Sequence, residues 1–371
     1  MSEKLTVFVV GAGASKEYGL PTGAELKTQI HAICDIPQVG LTNTRPDPED
    51  DWLLSIIKEM ILFDGIRSQD AGNLPNKIAA KARLINKYVN DAWFIRDNIL
   101  LSPSIDNFIH THRENPRIVK LGKALTRKLI AEAERKSSLY VDDASLQLQL
   151  PVNEIENTWL FALINCLLEA GDFDEFLDRL ARVLFVVFNY DRCLEQFFKY
   201  YVVSYFRLGP KDKNRLSAAL KIWHPYGSLS EANPFSSVEA FIRKAKSEVP
   251  FGQTDNDIGY LLWDPIKMFT ETEGFEGLRR EYRDAVIDSI EKCDQVVFLG
   301  FGYHKQNLRI LSSYDATNDC DVWGTCLGLP KYETDSVQEN LSQIFCGGSK
   351  DRVRLINASA SDLVAEIGKL L

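Results

Sequence analysis

The chain has 371 residues, 45% of them hydrophobic and 26% charged, enough for one large α/β unit or a core with a sizeable insertion, and a core of that size needs no disulfides or metals. Its net charge of −9 is spread along the sequence, which argues against a general nucleic-acid binder, since such a protein displaces phosphate counterions with a basic face. The seven scattered cysteines include no Cys-x-x-Cys pair, against a disulfide framework or a zinc ribbon, and no apolar run nears the ~20 residues that span a bilayer.

The first apolar run, Leu5 to Val10, is too short for a secretory signal and breaks into glycines, so it reads as a buried central strand in a chain expected in the reducing cytoplasm. Helical spacing starts near Ala24, with Leu26 and Ile30 on one side. After a polar stretch from Asn43 to Asp51, apolar residues recur every three or four positions in Trp52–Phe63, Ile78–Ile95, Ile118–Glu134 and Trp159–Ala170. A basic run, Lys77, Lys81, Arg83 and Lys87, has the spacing of a helix's wet side, with a partner-docking surface as the alternative. Strand patterns return at Val183–Phe188, Lys221–Trp223, Gln295–Leu299, Val322–Leu327 and Arg352–Ile356, with helical stretches such as Ala285–Ile290 and Ala360–Leu370 between them. That alternation predicts an α/β fold: a parallel sheet with a large, mostly helical insertion after the first strand and helix.

Four segments at strand ends could carry chemistry, because open α/β sheets place ligands at the carboxyl ends of their strands. Gly11-Ala12-Gly13-Ala14-Ser15 suits a turn that cradles phosphate, or a plain structural turn; Lys16 stands where a dinucleotide fingerprint has its third glycine. Asn189-Tyr190-Asp191 follows an apolar strand, and Asp191 could equally cap a helix from Arg192 to Tyr200. His224 follows the Lys221–Trp223 strand, either as a proton carrier or as a structural histidine. Gly300-Phe301-Gly302 follows Val296–Leu299, to meet a ligand or to let the next helix pack closely.

Residues Gly11 to Pro21, G-A-G-A-S-K-E-Y-G-L-P, resemble the sirtuin signature G-A-G-x-S-x-x-x-G-[IL]-P with the same spacing. Phe188-Asn189-Tyr190-Asp191 with Leu194-Glu195 is similar to the Asn-x-Asp segment of sirtuin-like proteins, and Tyr226-Gly227-Ser228 to their His-Gly-Ser. The resemblance implies a Rossmann-like NAD-binding domain over residues 1–32 and 181–371, with residues 33–180 as the helical insertion. It implies that Gly11, Ala12, Gly13 and Ser15 wrap the pyrophosphate and that Gly19 and Pro21 open the loop over the nicotinamide. It further implies that Asn189 contacts the ribose and positions the attacking group, that Asp191 meets the carboxamide, and that Gly300 and Gly302 lie along the adenosine half. Tyr226 occupies the family's histidine position, with Gly227 and Ser228 beside it. His224, two residues earlier, is taken as the general base, and Tyr226 is its rival.

The pattern departs from protein deacetylases in two places. Thr22-Gly23-Ala24 replaces the usual Asp-Phe-Arg, and the cysteine pairs of the zinc module are missing. What remains resembles the bacterial sirtuin-like NAD hydrolases of anti-phage defence, and implies NAD as substrate, no zinc, and NAD depletion once a trigger arrives. That family resemblance also implies a homo-oligomer, with a separate sensor or a HerA-type ATPase as partner. Two other readings stay open: an NAD or ADP-ribose sensor without turnover, and an NAD-dependent ADP-ribosyltransferase or deacylase.

Overall fold

A computed structural model describes residues 4–36, 48–65, 74–142, 150–169, 171–229, 250–254, 278–312 and 320–368. Six strands, Thr6–Val10 (β1), Val183–Val187 (β2), Lys221–Trp223 (β3), Gln295–Leu299 (β4), Asp321–Thr325 (β5) and Val353–Ile356 (β6), form one sheet in the order β3-β2-β1-β4-β5-β6. Every neighbouring pair is parallel. Parallel strands need helical crossovers and are covered on both faces, which is why β1, β2 and β4 are apolar and buried along nearly their whole length. The two-residue period of the strand sorts their side chains into two cores. Val7, Val9, Leu184, Val186, Val296 and Phe298 enter one, while Phe8, Val10, Phe185, Val187, Val297 and Leu299 enter the other.

Between β1 and β2 run α1 (Ala12–Ser15), α2 (Gly23–Ile33), α3 (Pro48–Gly65), α4 (Leu74–Asn98), α5 (Ile105–Thr111), α6 (Pro116–Lys136), α7 (Val152–Ile155), α8 (Trp159–Leu168) and α9 (Phe173–Leu180). After β2 come α10 (Cys193–Phe197), α11 (Val203–Tyr205) and α12 (Pro210–Ala219). The remaining helices are α13 (Leu278–Glu291), α14 (Lys305–Leu311), α15 (Lys331–Phe345) and α16 (Ala360–Ile367). The segment 33–180 lines both faces of the sheet. Ile56, Tyr88, Phe108 and Leu125 of α3 to α6 join the core that holds Val7 and Val9, whereas Leu163 of α8 and Phe176 of α9 join the one that holds Phe8.

Each expected strand is present, with ends shifted by a residue or two: Cys326 and Leu327 have left β5, and Arg352 belongs to a short 3-10 turn before β6. Several expected helices run longer, α4 from Leu74 to Asn98, whereas α8 and α16 end earlier, at Leu168 and Ile367. Lys77 and Lys81 of the basic run lie on α4, but their side chains are outside the described residues. Ala170 and Leu370 are likewise outside them, as is the stretch from 43 to 47. Thr22, in the segment where the sirtuin pattern is lost, starts α2 instead. Its hydroxyl accepts from Glu25 N at 3.3 Å, and the Glu25 carboxylate accepts from Thr22 N at 2.8 Å, a reciprocal capping box. Among the described residues no helix is long and apolar enough to cross a membrane.

Candidate functional site

Chain order runs outward from β1 through β2 to β3 on one side, and through β4, β5 and β6 on the other. The loops at the carboxyl edge therefore part between β1 and β4, the switch point at which doubly wound sheets bind ligands. Two glycine turns meet there. Gly11 N donates to Leu299 O at 2.9 Å and Gly13 N to Gly300 O at 3.0 Å. A Cβ on Gly11 would stand 2.5 Å from Gly300 O, and one on Gly300, whose φ is +54°, 2.0 Å from Ala14 N. Gly11, Gly13 and Gly300 are thus demanded by backbone lying on backbone. Gly302 is looser: its Cβ would stand 3.1 Å from the His304 ring. The next residue, Tyr303, holds a left-handed φ of +50° and donates its hydroxyl to Thr325 O at 2.9 Å.

The residues after Gly13 fasten this turn to distant parts of the chain. Glu17 accepts from Trp159 N at 2.7 Å and from Ser361 N at 2.9 Å, the first turns of α8 and α16. Tyr18, 1% exposed, accepts from Leu160 N at its hydroxyl. Burial lifts the Glu17 pKa, and the N–H groups of Ser361 and Trp159 hold it back. Gly19 then reverses the chain at φ +87°, and Leu20-Pro21 leads to the Thr22 cap. The signature segment is therefore fastened to the helices of the body at 17 and 18, and to the β4 turn at Gly13.

Ser15 and Asn189, 174 residues apart, meet in the buried floor of this edge, where Asn189 Nδ2 donates to Ser15 Oγ at 2.8 Å. Both are nearly inaccessible, Ser15 at 3% and Asn189 at 4%. Asp191 lies beside them. Its Oδ1 accepts from Cys193 N at 3.1 Å, but the helix that follows β2 starts at Cys193 with Arg192 as its N-cap residue, so the cap expected at Asp191 falls one residue later. Burial raises the Asp191 pKa, opposed by hydrogen bonds from Cys193 and Ser15 and by the charge of His224. Behind them Arg192 forks onto Glu134 of α6, Nε to Oε1 at 3.1 Å and NH2 to Oε2 at 2.5 Å, and Gly252 N donates to Oε2 at 3.0 Å.

His224 lies at the end of β3 with both ring nitrogens engaged. Nδ1 is 3.0 Å from Asn189 O, and Nε2 is 2.8 Å from Glu195 Oε1 on α10. Burial lowers the His224 pKa, but the Glu195 carboxylate, the Asn189 carbonyl and Asp191 together carry it above the ordinary value. Burial likewise lifts Glu195, but the charge and hydrogen bond of the imidazole, with the nearby Arg192, together hold the carboxyl low. Tyr226 stands apart from this pair: its hydroxyl donates to Asn307 Oδ1 of α14 at 2.6 Å, burial raises its pKa, and its ring meets Phe188 edge-on at 5.7 Å. Gly227 carries φ +73° and donates from its N–H to His224 O at 3.0 Å, with Ser228 buried next to it.

The structure thus gathers Ser15, Asn189, Asp191 and His224 around the ends of β1, β2 and β3, while Gly300 and Gly302 lie across the switch point from Gly13. Sequence reading missed three residues here. Glu195 was visible only as part of a Leu-Glu pair; nothing in its own segment foretold a partner after β3. Asp106 of α5, in the motif-free insertion, accepts from the Tyr190 hydroxyl. His304 follows β4, and among the described residues its ring has no hydrogen-bond partner; desolvation and the charge of Lys27 lower its pKa.

Fold and site define a doubly wound α/β protein with buried polar residues beneath the carboxyl edge of its sheet. No family model, curated protein or solved structure matches the chain. All seven cysteines are free, and among the described residues no group of three or more His, Cys, Asp or Glu is placed to hold a metal ion.

Proposed function

We propose that the chain is an NAD glycohydrolase that binds the dinucleotide across the carboxyl edge of β1, β2 and β4 and cleaves its nicotinamide–ribose bond. The observation that carries the reading is the Asn189–Ser15 hydrogen bond, which joins the two sirtuin-like segments that follow β1 and β2, next to the switch point of a β3-β2-β1-β4-β5-β6 sheet. Cleavage passes through an oxocarbenium-like state, so the protein's task is to hold the ribose with the leaving nicotinamide and an attacking water placed at its reacting carbon, whose bond to nicotinamide breaks as the bond to water forms. Ala12, Gly13 and Ser15 would take the pyrophosphate, Asn189 the ribose and water, and Asp191 the carboxamide, from whose N–H groups a carboxylate accepts. Gly300 and Gly302 would flank the adenosine half. Zinc has no part in this chemistry. A triggered effector of defence, oligomeric and governed by a separate sensor or a HerA-type ATPase, is the setting in which such an activity fits.

The test is to incubate the protein with NAD and follow nicotinamide and ADP-ribose by chromatography. Both products are expected from the wild type, with Asn189→Ala lowering the rate about a hundredfold or more because the reacting groups lose their alignment. Absence of NAD binding in the wild type would end the proposal.

One observation favours a second reading, an NAD or ADP-ribose sensor. Neither His224, with both nitrogens engaged, nor Tyr226, with its hydroxyl on Asn307, offers a free base. Tight NAD binding without nicotinamide release, unchanged in His224→Gln, would select the sensor. Modified protein product in the presence of NAD would instead select a transferase or deacylase.

A further inference from the structure

We infer that His224 serves this site as a positioning residue, an imidazolium that aims Asn189 by donating to its backbone carbonyl, and not as the base that removes a proton. The inference deepens the NAD reading and rests on it for its ligand. Its basis is geometric. A backbone carbonyl only accepts, so Nδ1, 3.0 Å from Asn189 O, carries a hydrogen. Nε2, 2.8 Å from Glu195 Oε1, faces a carboxylate and donates as well. A ring with hydrogens on both nitrogens has no lone pair for a substrate proton. Asn189 is thereby held at two points, its carbonyl by His224 and its side-chain amide by Ser15.

The charges around the ring agree with this state. Glu195 of α10 and Asp191 after β2 both favour the imidazolium, and Arg192 favours an ionised Glu195. Cys193 of α10 stays a thiol, because burial and the neighbouring carboxylates push its pKa up. Glu134 of α6 is taken up by Arg192 and Gly252. The other Glu195 oxygen, Oε2, is buried with no hydrogen-bond partner among the described residues, so the ring is the strong partner of this carboxylate there.

Two measurements decide the matter. Nitrogen-15 shifts of His224, assigned by their loss in His224→Gln, report the ring's charge in the free protein at about pH 7. Two protonated nitrogens are expected; one bare nitrogen would overturn the inference whatever the protein does with NAD. Nicotinamide release across the histidine range then reports the role. A positioning imidazolium is complete below its folded pKa and lost above it, so kcat should fall about tenfold per pH unit beyond that point, with KM little changed. In Glu195→Gln the fall should begin at lower pH, because the ring has lost the carboxylate that retains its proton. A kcat that climbs through the titration, the climb vanishing in His224→Gln, would identify a base and overturn the inference. If NAD binds but no nicotinamide is released, the hydrolase reading alone fails. The same alkaline fall is then expected in NAD affinity, and an affinity flat with pH would overturn this proposal too.

Discussion

Gly300 shows how much a single residue decides here. Its φ of +54° is costly for any residue with a Cβ, and that Cβ would also run into the backbone of Gly13 and Ala14. Relief requires the β1 and β4 turns to separate, and the hydrogen bond from Gly13 N to Gly300 O goes with them. Gly300→Ala should therefore cost about 2–4 kcal/mol, the sum of left-handed strain and overpacking, seen as a lowered urea midpoint. A change below half a kilocalorie would mean that the turns do not lie on one another. The residue was legible in the sequence as part of a glycine turn after a strand. Its reason was not, because the backbone it must clear lies nearly three hundred residues away. His224 is the reverse case: its segment was singled out as a source of chemistry, but the role depends on Glu195 and Asn189, which only the fold brings to its two nitrogens.

At the scale of elements, caps and crossovers do the positioning. The Thr22–Glu25 and Ser359–Asp362 capping boxes are local patterns, satisfied within four residues and readable in the chain. Glu17 is different, since one carboxylate serves the first turns of two helices that are far apart in sequence, α8 and α16. Glu17→Ala leaves Trp159 N and Ser361 N without acceptors, and removing a partner from buried N–H groups costs about 1–3 kcal/mol. The expected result is a lower thermal midpoint, with hydrogen exchange accelerated at the starts of both helices. Exchange faster at one helix only would show that the bridge is not shared. Because Glu17 stands two residues after Ser15, the same contacts hold the ligand-side turn against the body of the protein.

For the whole molecule, the question is whether residues 33–180 stand apart or fold with the sheet. Their helices contribute to both cores, and α6 reaches the site through the buried Glu134–Arg192 pair. Removing one partner of such a pair leaves an uncompensated charge in the interior, so Glu134→Gln should cost about 3–5 kcal/mol. Its urea curves by tryptophan fluorescence and by far-ultraviolet circular dichroism should still coincide, because insertion and sheet lose their packing together. Two separated transitions would show an independently folding insertion.

The sequence by itself determined the strands, since a buried parallel strand must be apolar along its length whatever surrounds it, and the short-range signals that end it, Gly11-Ala12-Gly13, Asn189-Tyr190-Asp191 and Gly300-Phe301-Gly302, sit within a few residues. It also determined that the insertion is helical, through three-to-four-residue spacing. Tertiary structure alone decided strand order, the meeting of Ser15 with Asn189, the protonation-setting contact of His224 with Glu195, and the reach of α5 and α6 to the carboxyl edge. Those are pairings between segments remote along the chain. Local periodicity reports which face of an element is apolar, but carries no information about which other element will cover it or which polar group will meet it there.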